Sequence, residues 1–211
     1  MKNRALLIGL LVVLSAMLIL VIGFWEPQGP PTASSVGQQG RLATAAPPAG
    51  GDFTLQGPRG PVALADYRGR VVLIYFGYTY CPDVCPTSLA LIAQALSGLQ
   101  ASERQRVQAL FISVDPQRDS AARLQEYAPF FHPALVGLSG TPREIAGVAA
   151  QYGASYQLQA PNAQGQYTVD HSSATYLIDP QGKLALTLPH AASPEQLIAA
   201  IRRHLPPIDG R

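Results

Sequence analysis

The chain contains two cysteines, and only three residues separate them: Cys81-Pro82-Asp83-Val84-Cys85. Small disulfide-built domains use four or more cysteines, so this pair does something local. Thiol–disulfide exchange is one chemistry open to it, although oxidoreductases usually carry two intervening residues rather than three. Metal capture is another, because the wider spacing lets both sulfurs point at one ion, and thiolates select soft ions such as Cu(I) or zinc. A plain disulfide or two buried thiols is the third. Two sulfurs alone suffice for a near-linear Cu(I) site, whereas holding Cu(II) as well calls for a third ligand. The spacing by itself leaves all three open.

The elements around the pair narrow the choice. Val71–Phe76 is a continuous apolar, β-rich run, as expected of a strand buried on both faces. It leads through Gly77-Tyr78-Thr79-Tyr80 into the cysteines, and residues 84–97 then place Leu89, Ile92, Ala93 and Leu96 on one helical stripe. Cys85 therefore falls in or beside the first helical turn, where free N–H groups and the helix dipole are expected to lower its pKa and present a thiolate. Pro86 suits that placement. Upstream, Phe53–Leu55 and Val62–Leu64 bracket Gly57-Pro58-Arg59-Gly60 as a hairpin. Downstream, Val107–Val114 reads as a second buried strand, followed by a helix near 120–130 that Asp119 is expected to cap. Leu135–Leu138 is a short strand, and Thr141 opens a helix over Pro142–Tyr152. Gln166–Val169, Ala174–Ile178 and Lys183–Leu188 read as strands, and Ser193-Pro194-Glu195 starts a closing helix to about His204. Two strand–helix–strand units, a hairpin and a final helix describe a three-layer α/β sandwich of the thioredoxin kind.

A third ligand has to come from four histidines. His132 lies in a helix-to-strand loop, His190 follows the last strand and His204 sits in the final helix; each reads as an ordinary surface residue. His171 differs. Asp170-His171-Ser172-Ser173 directly precedes the buried strand Ala174–Ile178, and in a thioredoxin-like domain the loop entering that strand faces the cysteine-bearing helix end. Its imidazole completes a set of two cysteines and one histidine that suits copper.

Of 211 residues, 47% are hydrophobic and 13% charged, against about 25% charged in a usual soluble domain. Much of the excess is residues 5–25, which carry no charge. At about 1.5 Å per residue such a run crosses a ~30 Å hydrocarbon core, and it reads as an uncleaved transmembrane helix ending at Trp25. Lys2 and Arg4 precede it and the next basic residue is Arg41, so the bulk of the chain is expected to be translocated. The start lacks an Arg- and Ser-rich presequence, which points to a single-pass protein of a bacterial inner membrane with its C-terminal domain in the periplasm. Residues 26–51 are rich in Pro, Gly, Ala and Ser and read as a flexible linker reaching on the order of 30 Å. From Glu26 onward, thirteen basic residues balance thirteen acidic ones. No basic stripe is left for a polyanion, which excludes nucleic acid as a partner.

Tyr75-Phe76-Gly77-Tyr78-Thr79-Tyr80-Cys81-Pro82-Asp83-Val84-Cys85-Pro86, then Ser113-Val114-Asp115-Pro116-Gln117-Arg118-Asp119, then Asp170-His171-Ser172, resemble the SCO/SenC family. Its members are membrane-anchored, thioredoxin-like copper chaperones for the dinuclear copper centre (CuA) of cytochrome c oxidase. The resemblance covers about Asp52 to Leu205, plus the anchor. It implies Cys81, Cys85 and His171 as ligands for Cu(I) and Cu(II). The implied partner is the oxidase subunit carrying the CuA site, with other periplasmic copper carriers or thiol reductases beside it. The implied activity is binding and transfer rather than enzymatic turnover; the alternative is a thiol–disulfide oxidoreductase that keeps the oxidase cysteines reduced. A peroxide-reducing redoxin is disfavoured, because Thr79-Tyr80-Cys81 lacks the Thr-x-x-Cys spacing. The layout is then a cytoplasmic N-terminus (1–4), a transmembrane anchor (5–25), a linker (26–51) and a copper-binding domain (52–211). Around the site, Asp170 is placed to orient the His171 ring. Asp83 either adds negative charge near the cation or is simply solvated. Tyr78 and Tyr80 are expected to wall the site, and Tyr75 to pack in the core.

Overall fold

The computed structural model describes residues 14–20 and 48–207. The expected hairpin forms from β1 (Thr54–Gly57) and β2 (Gly60–Ala63). Then follow β3 (Val71–Gly77), α1 (Val84–Gly98), the short α2 (Ala101–Arg104), β4 (Val107–Ser113), α3 (Ala121–Phe131), β5 (Leu135–Leu138) and α4 (Pro142–Tyr152). A ribbon of β6 (Tyr156–Leu158) and β7 (Val169–His171) precedes β8 (Thr175–Ile178), β9 (Leu184–Leu188) and α5 (Pro194–His204). The central sheet runs β5-β4-β3-β8-β9. β3 and β5 flank β4 in parallel, and β8 is antiparallel to both β3 and β9.

Every residue of β3 and β4 is buried, as the apolar runs require of strands covered on both faces. Their side chains alternate between two layers. On one side Tyr75 reaches the start of α1, donating from its hydroxyl to the Val84 carbonyl at 3.4 Å, and Phe111 meets Tyr127 of α3. The β3–α1–β4 and β4–α3–β5 crossovers step the same way along the sheet, so right-handed connections put α1 and α3 on one face. There α5 packs against α1. On the other side Phe76 and Tyr176 pack with Tyr152 of α4. This is the expected three-layer sandwich. Each fully buried Leu, Ile or Phe of the sheet contributes about 1.5–3 kcal/mol through burial.

Helix starts follow the cap chemistry. Thr141 and Glu144 exchange reciprocal bonds at the head of α4, and Ser193 caps α5 with Gln196 returning to it. Gly153 ends α4 in the left-handed conformation (φ 67°) that glycine adopts freely. The expected cap of α3 is corrected: Ser120, not Asp119, accepts from the Arg123 N–H. The strand expected over Gln166–Val169 begins later, at Val169, because Asn162 turns the chain first. Its side-chain oxygen accepts from the N–H groups of Gln164 and Gln166. Neither β6 nor α2 was expected; three or four residues of mixed polarity show no period.

Two units are delimited, Met1–Ala45 and Ala46–Arg211. In the first, residues 14–20 are helical and exposed. The rest of the expected anchor 5–25, residues 1–4 and linker residues 26–47 lie outside the described residues. Among the described residues no helix is long and apolar enough to cross a membrane. Residues 48–51 are already packed into the second unit. Gly50 donates to the Gln151 carbonyl at 3.0 Å, and the Tyr152 hydroxyl donates to the Gly51 carbonyl at 2.8 Å.

Candidate metal centre

Cys85 is the second residue of α1 and is fully buried, while Cys81, in the loop before it, is 9% exposed. The helix start directs the Cys85 N–H at Cys81 Sγ, 3.4 Å away, as first-turn amides without helical partners do. β3 delivers this loop, and its last residue has to be glycine. A Cβ on Gly77 would lie 2.6 Å from Cys85 Sγ and 3.0 Å from the Phe111 ring. The thiol occupies the space that any larger residue would fill.

Behind the loop, Asp119 is buried and accepts three bonds: from the Thr79 N–H (3.0 Å), the Thr79 hydroxyl (2.6 Å) and the Ser113 hydroxyl (2.6 Å). Rather than capping α3, it ties the cysteine loop to the end of β4. A buried carboxylate persists only where such donors replace water.

His171 ends β7, opposite Tyr156. Its Nε2 is 3.2 Å from Cys85 Sγ, and its Nδ1 is 3.1 Å from the Ser172 carbonyl. A carbonyl only accepts, so Nδ1 carries the proton and Nε2 turns its lone pair to the cysteines. Burial pushes the imidazole pKa down, against the Ser172 carbonyl, which raises it. Tyr75 and Tyr78 stand edge-on to the ring at 6.2 and 5.8 Å between centroids, so both wall the site. Tyr80 does not: it is 53% exposed, beside the guanidinium groups of Arg118 and Arg123.

The three donor atoms of Cys81, Cys85 and His171 lie within 4.8 Å of one another, the one such grouping among the described residues. Thiolate and imidazole bonds to a d¹⁰ ion are about 2.0–2.3 Å long, so ligands around one ion sit roughly 3.5–4 Å apart. Small rotations bring the three into range. An open groove of about 480 Å³, with Tyr78, Cys81, Asp83, Val169, Asp170 and His171 in its lining, opens from solvent onto Cys81 and His171.

Two local expectations change. Both cysteines are free thiols, but burial pushes the Cys85 thiol up rather than down; desolvation outweighs the helix start. Asp170 does not orient His171. Alternation along β7 turns it outward, where it accepts from Gln159 Nε2 at 2.6 Å, and the Ser172 carbonyl takes the role instead. Asp83 is exposed at the rim of the groove, as either expected role allows. His132 accepts from the Ala134 N–H, His190 is 3.3 Å from the Ser88 hydroxyl, and His204 ends α5; none joins the cluster.

The SCO1/SenC family description matches residues 42–206. This chain belongs to the SCO1/SenC family. Its SCO1/SenC domain is 43% identical over 157 residues to the mitochondrial SCO2 homologue of Bos taurus, covering 74% of this chain and 59% of the bovine one. The match thus spans about three-fifths of that relative's length. Among solved structures, copper-bound ScoI of Bradyrhizobium japonicum is 41% identical, with a TM-score of 0.68 over 74% of this chain and 99% of that one. Yeast Sco1 with copper bound is 35% identical, with a TM-score of 0.68 over 75% of this chain and 89% of that one. The placement in a bacterial inner membrane is corrected: the bovine, human and yeast relatives are named as mitochondrial proteins. An apolar run with flanking charges speaks to the side of a membrane, not to which membrane it is.

Proposed function

We propose that this protein carries copper on Cys81, Cys85 and His171 and delivers it to the CuA centre of cytochrome c oxidase. The observation that carries this reading is the convergence of two thiols and one deprotonated imidazole nitrogen within 4.8 Å, at the end of an open groove. Copper-bound relatives of the same fold support it, as does a structure with 23% identity described as a member of the Sco family of cytochrome c oxidase assembly proteins. Two thiolates satisfy Cu(I), and the imidazole adds the nitrogen donor that Cu(II) favours. Delivery is ligand exchange: incoming thiolates approach along the groove and each new bond forms as an old one breaks, with no net oxidation. The apolar run 5–25 is the anchor we propose for keeping the domain beside a membrane-embedded oxidase.

A second reading, a thiol reductase for the oxidase cysteines, draws on the two free thiols lying close enough to pair. Against it weighs the full burial of Cys85, which leaves only Cys81 to meet a partner's disulfide. The test is anaerobic titration of the reduced protein with Cu(I) and Cu(II), beside His171→Ala. One equivalent of each ion is expected, and the variant should lose at least about tenfold in Cu(II) affinity while keeping Cu(I). Absent copper binding together with a readily exchanged Cys81–Cys85 disulfide would replace delivery with thiol reduction.

A further inference from the structure

We propose that Arg118 and Tyr167 form a clamp that presses the His171-bearing ribbon onto the cysteine loop and thereby sets the preference of the site for Cu(II). This rests on the copper reading above and concerns residues that touch no ligand atom. The ribbon β6–β7 is a separate two-stranded sheet, outside the hydrogen-bonded ladder of the central sheet. A two-stranded ribbon is marginal alone, so its position depends on what grips it.

One grip comes from the turn after β4. Asp115 is fully buried there and accepts from Arg118 Nε and, at 2.8 Å, from the Tyr167 hydroxyl. Arg118 Nη1 donates to the Tyr167 carbonyl at 2.8 Å, and the guanidinium carbon sits 3.6 Å above the centroid of the Tyr167 ring. Tyr167 is thus held at its hydroxyl, its ring face and its backbone, four residues before His171. On its other side the same guanidinium lies 5.5 Å from the Tyr78 ring and 5.0 Å from the Tyr80 ring, the two aromatics that lead to Cys81. Tyr78 in turn meets the edge of His171. One planar cation therefore bridges the segment that supplies the nitrogen ligand and the segment that supplies a sulfur.

Loosening the clamp removes the imidazole from range before it disturbs the thiols, because Cys85 is held separately by β3 and α1. Cu(I), satisfied by two sulfurs, should hardly notice. Cu(II) should. Lysine keeps the charge at position 118 but has neither the fork nor the planar face, and phenylalanine at 167 keeps the ring while losing the bond to Asp115.

The experiment measures Cu(I) and Cu(II) affinity, the thiolate-to-Cu(II) absorption band, and the His171 imidazole resonances of the metal-free protein. The variants are Arg118→Lys and Tyr167→Phe. Tyr152→Phe, on the opposite face of the sheet, loses its bond to Gly51 and controls for a general loss of stability. Arg118→Lys should bind Cu(II) about tenfold more weakly, the size of outer-layer effects at metal sites, with a weakened band. Its Cu(I) affinity should stay within about twofold and its His171 resonances should broaden. Tyr167→Phe should move the same way by about threefold, and Tyr152→Phe should change neither affinity. Unchanged Cu(II) binding in Arg118→Lys, or equal losses for both ions, would overturn the clamp. Should the parent protein take up neither ion, the delivery reading fails instead; there, or where it takes up Cu(I) alone, the metal-free resonances still decide: unbroadened His171 lines in Arg118→Lys overturn the clamp, and broadened lines uphold it.

Discussion

The two halves of the proposed copper site are built to different standards of rigidity. Cys85 is fully buried beside Gly77 of β3, Tyr75 and Phe111, inside the hydrophobic core. His171 stands on a three-residue strand whose partner, β6, is half-buried at one residue and exposed at two. Close-packed surroundings resist displacement by even a methyl group, whereas a ribbon held by side-chain contacts opens at a lower cost. A carrier has to retain its ion and also release it. On the proposed delivery function, retention falls to the sulfur half and adjustability to the nitrogen half.

Replacing Cys85 by serine probes the rigid half hardest: a hydroxyl is a poor ligand for a soft ion, so both Cu(I) and Cu(II) should be lost by a hundredfold or about that. Retained stoichiometric Cu(I) in the same titration would show that the histidine half can hold the ion with Cys81 alone. Gly77→Ala is expected next. Forcing a Cβ to 2.6 Å from Cys85 Sγ should lower thermal stability by about 1–3 kcal/mol, the usual cost of overpacking, and weaken both ions together. A selective loss of Cu(II) would mean that the sulfur half yields and the contrast is wrong.

Protons sharpen the comparison further. Burial raises the Cys85 thiol, so the metal-free protein holds its proton at neutral pH, and an incoming ion must displace it. Cu(I) affinity should therefore rise with pH by about tenfold per unit for each proton released. Burial lowers His171 instead, so its imidazole is already neutral at pH 7 and contributes no proton there. Calorimetry in buffers of different ionisation enthalpy checks this; proton-free Cu(I) binding would contradict it. The smallest effect belongs to Asp170→Asn. Because the Ser172 carbonyl orients the ring and the hydrogen bond of Asp170 goes to Gln159, Cu(II) affinity should stay within about twofold. A tenfold loss would restore Asp170 as the group that orients the ring.

Much of this was legible from residue types and periods. The apolar runs of β3 and β4 could only be strands buried on both faces, Thr141-Pro142 and Ser193-Pro194 carry their helix starts in local cap chemistry, and the cysteine pair lies at a strand-to-helix junction. The SCO/SenC resemblance rests on motifs that need no coordinates, and the family match agrees with it. These features depend on neighbours within a few residues, or on a burial pattern written along a single element.

Other properties depend on residues far apart in the chain, and only the tertiary structure decided them. The thiol of Cys85 is raised because the sheet and helix bury it, which no helix-dipole argument at position 85 contains. Asp119 reads locally as a helix cap, yet a loop forty residues earlier claims its oxygens. Arg118 meets Tyr167 across forty-nine residues. Gly77 looks like the ordinary end of a strand until the thiol of another element fills the space where its Cβ would be. Period and cap preference report on the backbone nearby. Desolvation, close approach and hydrogen-bond competition are set by whatever the fold brings from elsewhere.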